Sequence, residues 1–66
     1  MNTKRIEVEF LGHGIFKDKN TNELYVWDFK DEFTGCITNQ STLEKFDVVS
    51  DYRDSNGNVT DFFVEV

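Results

Sequence analysis

Hydrophobic and polar residues alternate along much of this chain. In residues 4–11, KRIEVEFL, the apolar side chains of Ile6, Val8 and Phe10 alternate with acidic ones. A period of two is typical of a strand with one buried face. The following GHGIF can extend this strand, and residues 23–29, ELYVWDF, form the segment with the strongest β propensity.

Three further segments are predicted strands, which brings the total to five. They are residues 32–38, entered by a tight turn at Lys30–Asp31, and residues 46–53 and 58–66. Ser41 and Glu44 have the spacing of a capping box, which predicts one helical turn at 42–45. This pattern favours a mainly β fold, a five-stranded antiparallel curled sheet or SH3-like barrel, in a single domain of residues 1–66. The alternative is an α+β fold with one helix across a three- or four-stranded sheet.

The segment DSNGNVTDFFVE, residues 54–65, has two interpretations. Its oxygen-bearing residues match positions 1, 3, 5 and 12 of an EF-hand calcium loop, and these are Asp54, Asn56, Asn58 and Glu65. Position 6, which needs glycine for a sharp bend, is Val59, and no second helix is predicted after the loop. Asn56–Gly57 between two β-prone segments indicates a hairpin instead, and we prefer that interpretation.

Two registers fit this hairpin. A two-residue turn at Asn56–Gly57 mixes apolar and polar residues on each face; its pairs would be Tyr52–Asp61 and Ser50–Phe63. A three-residue loop, Ser55–Gly57, with Gly57 in a left-handed conformation makes one face almost entirely apolar, as a one-sided sheet requires. We therefore predict the second register, whose pairs are Tyr52–Thr60, Ser50–Phe62, Val48–Val64 and Phe46–Val66.

The glycines of GHG, residues 12–14, can be explained by the packing of aromatic rings. A register that pairs Phe16 with Glu23 places Gly12 opposite Trp27 and Gly14 opposite Tyr25. Each glycine would then leave room for a large ring on the neighbouring strand. We prefer this role to one in metal binding or proton transfer for His13, because no second ligand type lies nearby in the sequence.

Composition and charge restrict the classes of function. The chain has 66 residues, ten of them aromatic, and its net charge is −6. This charge argues against direct nucleic-acid binding and against binding to anionic membranes. A single cysteine, Cys36, with no signal peptide and no membrane-length apolar run, predicts a cytoplasmic protein. Nothing places His13 beside Cys36, and no phosphate-binding loop is present, so we expect no enzymatic activity, no cofactor and no metal.

The acidic residues suggest a binding surface. Carboxylates two residues apart on a strand lie about 6.5–7 Å apart, a spacing comparable to that of nucleic-acid phosphates. In the preferred register an aromatic side chain, Phe63, lies among such carboxylates on the solvent side, as an interface anchor would. The candidate partner-binding residues are Glu7, Glu9, Asp47, Asp51, Asp61, Phe63 and Glu65.

In length, charge, strand content and absence of catalytic motifs, the whole chain resembles small acidic phage-encoded inhibitors of bacterial defence systems, including anti-CRISPR and anti-restriction proteins. The resemblance includes no shared motif. It implies a nucleic-acid mimic in a bacterial host cell that blocks the basic groove of a larger protein, a nucleic-acid-handling enzyme. The alternative is a small structural or accessory domain stabilised by homodimerisation or assembly, and a calcium-responsive module is a third hypothesis.

Overall fold

The described part of the chain forms a closed antiparallel barrel of six strands. The computed structural model describes residues 2–29 and 35–66. The strands are β1 Thr3–Gly12, β2 Ile15–Asp18, β3 Leu24–Phe29, β4 Gly35–Asn39, β5 Lys45–Arg53 and β6 Val59–Glu65. Each strand pairs with the next, and β6 pairs with β1, so that no strand of the described residues has an open edge. The predicted mainly β fold is confirmed, with six strands instead of five.

The additional strand arises because His13 and Gly14 form a turn between Gly12, the last residue of β1, and Ile15, the first residue of β2. Gly12, His13 and Gly14 have φ values of 93°, 55° and 74°, and Phe10 pairs with Phe16 across the hairpin. Positive φ at successive residues reverses the chain in a tight two-residue hairpin turn. The prediction that GHG extends the first strand and places its glycines opposite two rings is therefore wrong.

The loops 18–23 and 39–44 have the same construction. In each, the first side chain, Asp18 or Asn39, accepts two backbone N–H groups at 2.8 to 3.3 Å. A threonine three residues later accepts the N–H of the glutamate two positions beyond it. The residue between these two has positive φ in both loops. The shared pattern D/N-x-x-T-x-E thus encodes the same hairpin loop twice.

This loop geometry replaces the helical turn predicted at 42–45. Asn39, and not Ser41, caps the loop, and its backbone N–H donates to the carbonyl of Glu44 at 2.9 Å, closing the hairpin. β5 then begins at Lys45. No helix occurs in residues 2–29 or 35–66. The predicted turn at Lys30–Asp31 and the first residues of the predicted strand 32–38 lie outside the described residues.

Aromatic rings fill the centre of the barrel. Phe62 is fully buried; its ring centroid lies 4.8 Å from that of Phe16 and 5.7 Å from that of Trp27, against which it stacks. Gly35 is needed beneath the indole, because an ideal Cβ there would lie 2.5 Å from Cη2 of Trp27. The other core residues are Ile6, Val8, Tyr25, Ile37 and Val64. Rings carry large buried areas, which lets a short chain fill a closed barrel.

Candidate functional site

The turn between β5 and β6 is the three-residue loop that the sequence predicted. The backbone N–H of Gly57 donates to the carbonyl of Asp54 at 3.0 Å, and Gly57 has a φ of 83°. The side-chain Oδ1 of Asp54 accepts the N–H groups of Asn56 and Asn58. The segment that resembled a calcium loop is thus a hairpin, and this carboxylate stabilises its turn. The described ranges contain no cluster of three or more acidic, histidine or cysteine side chains that could hold a metal ion.

Two β-bulges interrupt the predicted register beyond this turn. Val48 pairs with Val64 as predicted, but the intervening pairs are Ser50–Phe63, Asp51–Phe62 and Tyr52–Asp61. The register therefore shifts once between Tyr52 and Arg53 and shifts back between Val48 and Ser50. The predicted pairs Tyr52–Thr60 and Ser50–Phe62 are wrong, because each bulge inserts an extra residue into one strand and turns the intervening side chains to the opposite face.

The bulges separate Asp51 from the predicted site residues Asp61 and Phe63 of β6. Directly opposed residues of an antiparallel pair project to the same side of the sheet. Phe62 points into the barrel, so its partner Asp51 lies on the inner side, at one end of the barrel, and not on the solvent face with Asp61 and Phe63. Tyr52 takes the place on the outer face that was expected for Asp51.

The predicted site residues of β6 lie on an outer surface that β6 shares with β1. Glu7 pairs with Asp61, Arg5 with Phe63, and Thr3 with Glu65. The Phe63 ring packs edge-on against that of Tyr52, with ring centroids 5.4 Å apart, and Tyr52 is 61% exposed. We call this surface the outer aromatic face; its residues are Arg5, Glu7, Tyr52, Asp61, Phe63 and Glu65.

Asp47 lies beside this face. Val48 and Val64 form an inward-pointing pair, so their neighbours Asp47 and Glu65 are on the outer side of β5 and β6. Both residues are exposed. The structure thus brings five of the seven predicted residues to one side of the barrel, and these are Glu7, Asp47, Asp61, Phe63 and Glu65.

Asp61 is held within the face and does not protrude from it. It is 7% exposed, and its carboxylate accepts the Thr60 hydroxyl at 2.7 Å and the Arg5 Nε–H at 3.0 Å. The hydroxyl of Thr60 and the guanidinium of Arg5 lower the pKa of Asp61, although burial opposes them. Arg5 neutralises this carboxylate, so the negative charge of the face comes from its flanks, from Glu7 and Glu65.

Glu9 and Asp51 lie at the end of the barrel that holds the β1–β2 and β5–β6 turns. A pocket of about 260 Å³ opens there. We call it the mouth pocket; it is lined chiefly by Phe10, Phe16, Trp27, Asp51, Arg53 and Phe62. A second, more polar depression adjoins it across Phe10 and contains Glu9, Lys19, Asp54 and Asn58. Sequence reasoning missed this convergence of rings, because it depends on closure of the barrel between β1 and β6.

Comparisons with known proteins do not assign the chain to a family. No protein-family model matches it, and neither a curated protein nor a solved structure matches it. Residues 2–29 and 35–66 include no helix with the length and apolar character needed to cross a membrane.

Proposed function

We propose that this chain is a non-enzymatic binding protein that docks its outer aromatic face on a basic groove of a larger protein and blocks that groove. The observation that carries the proposal is the ring pair of the exposed Tyr52 and the half-buried Phe63 on a face flanked by carboxylates. The partner class is a nucleic-acid-handling enzyme of a bacterial cell, since such enzymes carry basic grooves.

The closed barrel supports binding through a face. Partners that add a strand need an open sheet edge, and the described strands pair all the way round the barrel. A partner that docks on the side of the barrel therefore contacts outward side chains and does not add a strand. Aromatic residues at the centre of a contact, surrounded by a polar rim, supply most of the binding energy in many interfaces. Tyr52 and Phe63 fit the central position, with Glu7 and Glu65 at the rim.

The charge distribution supports a basic partner. The chain carries a net −6, and the centre of the face is neutralised by the Arg5–Asp61 pair. Desolvating a neutral centre costs less than desolvating an isolated carboxylate. The flanking carboxylates of Glu7 and Glu65 can remain hydrated at the rim while they steer a basic groove into contact.

The test is capture of partners from a bacterial lysate with three immobilised proteins: wild type, Phe63→Ala and Leu43→Ala. Leu43 is a matched control because it is 71% exposed and lies outside the face. We expect a nucleic-acid-binding protein to be retained by wild type and Leu43→Ala and lost from Phe63→Ala. For that partner, Phe63→Ala should accelerate dissociation, because it removes a desolvated anchor.

A charge variant of the same protein separates steering from anchoring. Glu7→Gln combined with Glu65→Gln should slow association at low salt and make the rate less dependent on salt, with little change in dissociation. Equal rates for wild type and all variants would show that the face does not bind. A melting temperature that falls on dilution would support the homodimer alternative and contradict the proposal.

A further inference from the structure

The mouth pocket is an apolar cavity at the end of the barrel. Phe16 and Phe62, both buried, form its floor, and Phe10 and Trp27 form its walls. The rings contact one another in sequence: ring centroids are 5.1 Å apart for Phe10–Phe16 and 4.8 Å apart for Phe16–Phe62. Phe10 is 48% exposed although it continues the inward-facing series of β1, so the cluster opens to solvent at this end.

The size of the pocket restricts its occupant. A cavity of about 150 Å³ holds benzene, whereas pockets for drug-sized ligands and cofactors span about 300–1,000 Å³. The mouth pocket, at about 260 Å³, suits one ring-bearing side chain better than a whole cofactor. Its walls of aromatic rings favour an aromatic occupant over an aliphatic one, because ring pairs gain energy beyond area burial.

The charges around the opening define what should lie next to that ring. Asp51 and Arg53 form a long, exposed contact of 3.5 Å at the rim, which is a weak pair that a ligand can replace. The adjoining depression holds the carboxylates of Glu9 and Asp54 and one lysine, Lys19. Acidic groups therefore outnumber basic ones around the opening, in a chain whose net charge is −6.

From these observations we propose that the mouth pocket binds a segment of a partner protein in which an aromatic side chain is followed by arginine or lysine. The ring enters between Phe10 and Trp27, and the cation lies over the neighbouring depression, near Glu9. This inference goes beyond the proposed function, because the mouth pocket and its adjoining depression share no residue with the outer aromatic face.

The experiment uses Trp27 as the reporter, since it is the single tryptophan of the chain. The probes are three blocked hexapeptides: acetyl-Gly-Ser-Phe-Arg-Gly-Ser-amide, and the same peptide with Ala-Arg or Phe-Glu at its centre. We expect the Phe-Arg peptide to change Trp27 emission saturably. The Ala-Arg peptide should bind at least about tenfold more weakly, from the apolar area of one buried ring. The Phe-Glu peptide should bind several-fold more weakly at low salt.

Two variants locate the binding. Val59 also lines the mouth pocket, so Val59→Phe should fill its opening and abolish the response. Phe10→Ala removes one wall and should weaken binding. Phe10 is half exposed, so its variant should keep the fold if Val59→Phe does not. Phe63→Ala should leave peptide affinity unchanged, which distinguishes this site from the outer aromatic face. Equal binding of the Phe-Arg and Ala-Arg peptides, or no saturable response to any peptide, would overturn the proposal. A shift of the emission maximum when the protein is concentrated without peptide would show that a second copy occupies the pocket, and would also overturn the proposal.

Discussion

Gly35→Ala is the substitution that most sharply tests the packing of the barrel. An ideal Cβ at Gly35 would lie 2.5 Å from Cη2 of Trp27 and closer still to Cζ2. Carbon atoms at ordinary contact are about 3.5–4.0 Å apart, so the indole must move by about 1 Å. The ring cannot swing freely, because it stacks on the fully buried Phe62 at an interplanar angle of 13°.

The size of the effect follows from two opposing contributions. Overpacking of a well-filled core costs about 1–3 kcal/mol. Replacing glycine by alanine also restricts the unfolded chain, which stabilises by about 0.4–1 kcal/mol where the backbone tolerates it. We therefore expect Gly35→Ala to lower the free energy of unfolding by roughly 1–2 kcal/mol. In a domain of this size that corresponds to a fall in melting temperature of roughly 4–16 °C.

The assay is urea unfolding followed by Trp27 fluorescence, with Gly57→Ala as the matched control. Gly57 has a φ of 83° and no atom within 4 Å of an added Cβ, so alanine there strains the backbone without touching the core. Left-handed backbone costs a non-glycine residue roughly 1–2 kcal/mol. Both variants should thus lose similar stability, but only Gly35→Ala should shift the emission of the native state.

A second background isolates the contact between the glycine and the indole. Phenylalanine lacks the atoms that a Cβ at Gly35 would meet, so in Trp27→Phe the cost of Gly35→Ala should largely disappear, here measured by circular dichroism. The coupling energy of this double-mutant cycle is the predicted quantity. Unchanged stability and emission in Gly35→Ala, or the same cost in both backgrounds, would refute the packing argument.

Three further predictions concern the loops and the ion pair. Folding lowers the pKa of Asp61, so the contribution of this carboxylate to stability is complete above its unfolded pKa of about 3.9 and is lost as pH falls through its folded pKa. The difference in urea midpoint between wild type and Asp61→Asn should therefore be constant from about pH 8 to 5 and become smaller towards pH 2. A difference that becomes larger in acid would contradict this. Asn39→Ala should lower the free energy of unfolding by about 1–3 kcal/mol in urea melts, because its buried amide caps a loop and donates to Glu23 at 2.9 Å; a loss below about 0.5 kcal/mol would refute that role. Calcium at millimolar concentration should not change the melting temperature, because Asp54 and Glu65 lie near opposite ends of β6, about 20 Å apart by the length of the strand. An increase in melting temperature that Glu65→Gln abolishes would support the calcium-loop interpretation instead.

Local chemistry predicted those parts of the fold in which one conformation suits the residues. The alternation of Ile6 and Val8 with acidic neighbours gave the inward face of β1 correctly. Asp54 and Gly57 specified their turn, because a short acceptor and a residue free to adopt positive φ satisfy it without tertiary contacts. These features depend on residues close in sequence.

The errors arose where two local conformations compete. Glycine tolerates both extended and left-handed backbone, so GHG suits a strand as well as a turn, and the closure of the barrel decides between them. Ser41 and Glu44 match a capping box, but the side chain of Asn39 accepts the backbone N–H groups of Ser41 and Thr42. The sequence did contain a signal for the correct structure, because the pattern D/N-x-x-T-x-E of loop 18–23 recurs at 39–44. Each copy begins four residues after a glycine, Gly14 or Gly35.

The candidate site could be predicted only in part. Phe62 and Phe63 were assigned to the inner and outer sides correctly by alternation with Val64. The bulges could not be predicted, because they turn Ser50 away from the core and Tyr52 towards solvent, a choice that depends on how Phe62 fits between Phe16 and Trp27. The neutralisation of Asp61 likewise requires the pairing of the first and last strands.

The most direct test of the proposed function is competition between this chain and nucleic acid for the captured partner. A fluorescently labelled oligonucleotide bound to that partner is titrated with wild type, Phe63→Ala and Leu43→Ala, and its anisotropy is measured. The proposal predicts that wild type and Leu43→Ala displace the oligonucleotide equally and that Phe63→Ala needs a much higher concentration. A ternary complex in which the oligonucleotide stays bound, or equal displacement by all three proteins, would contradict it.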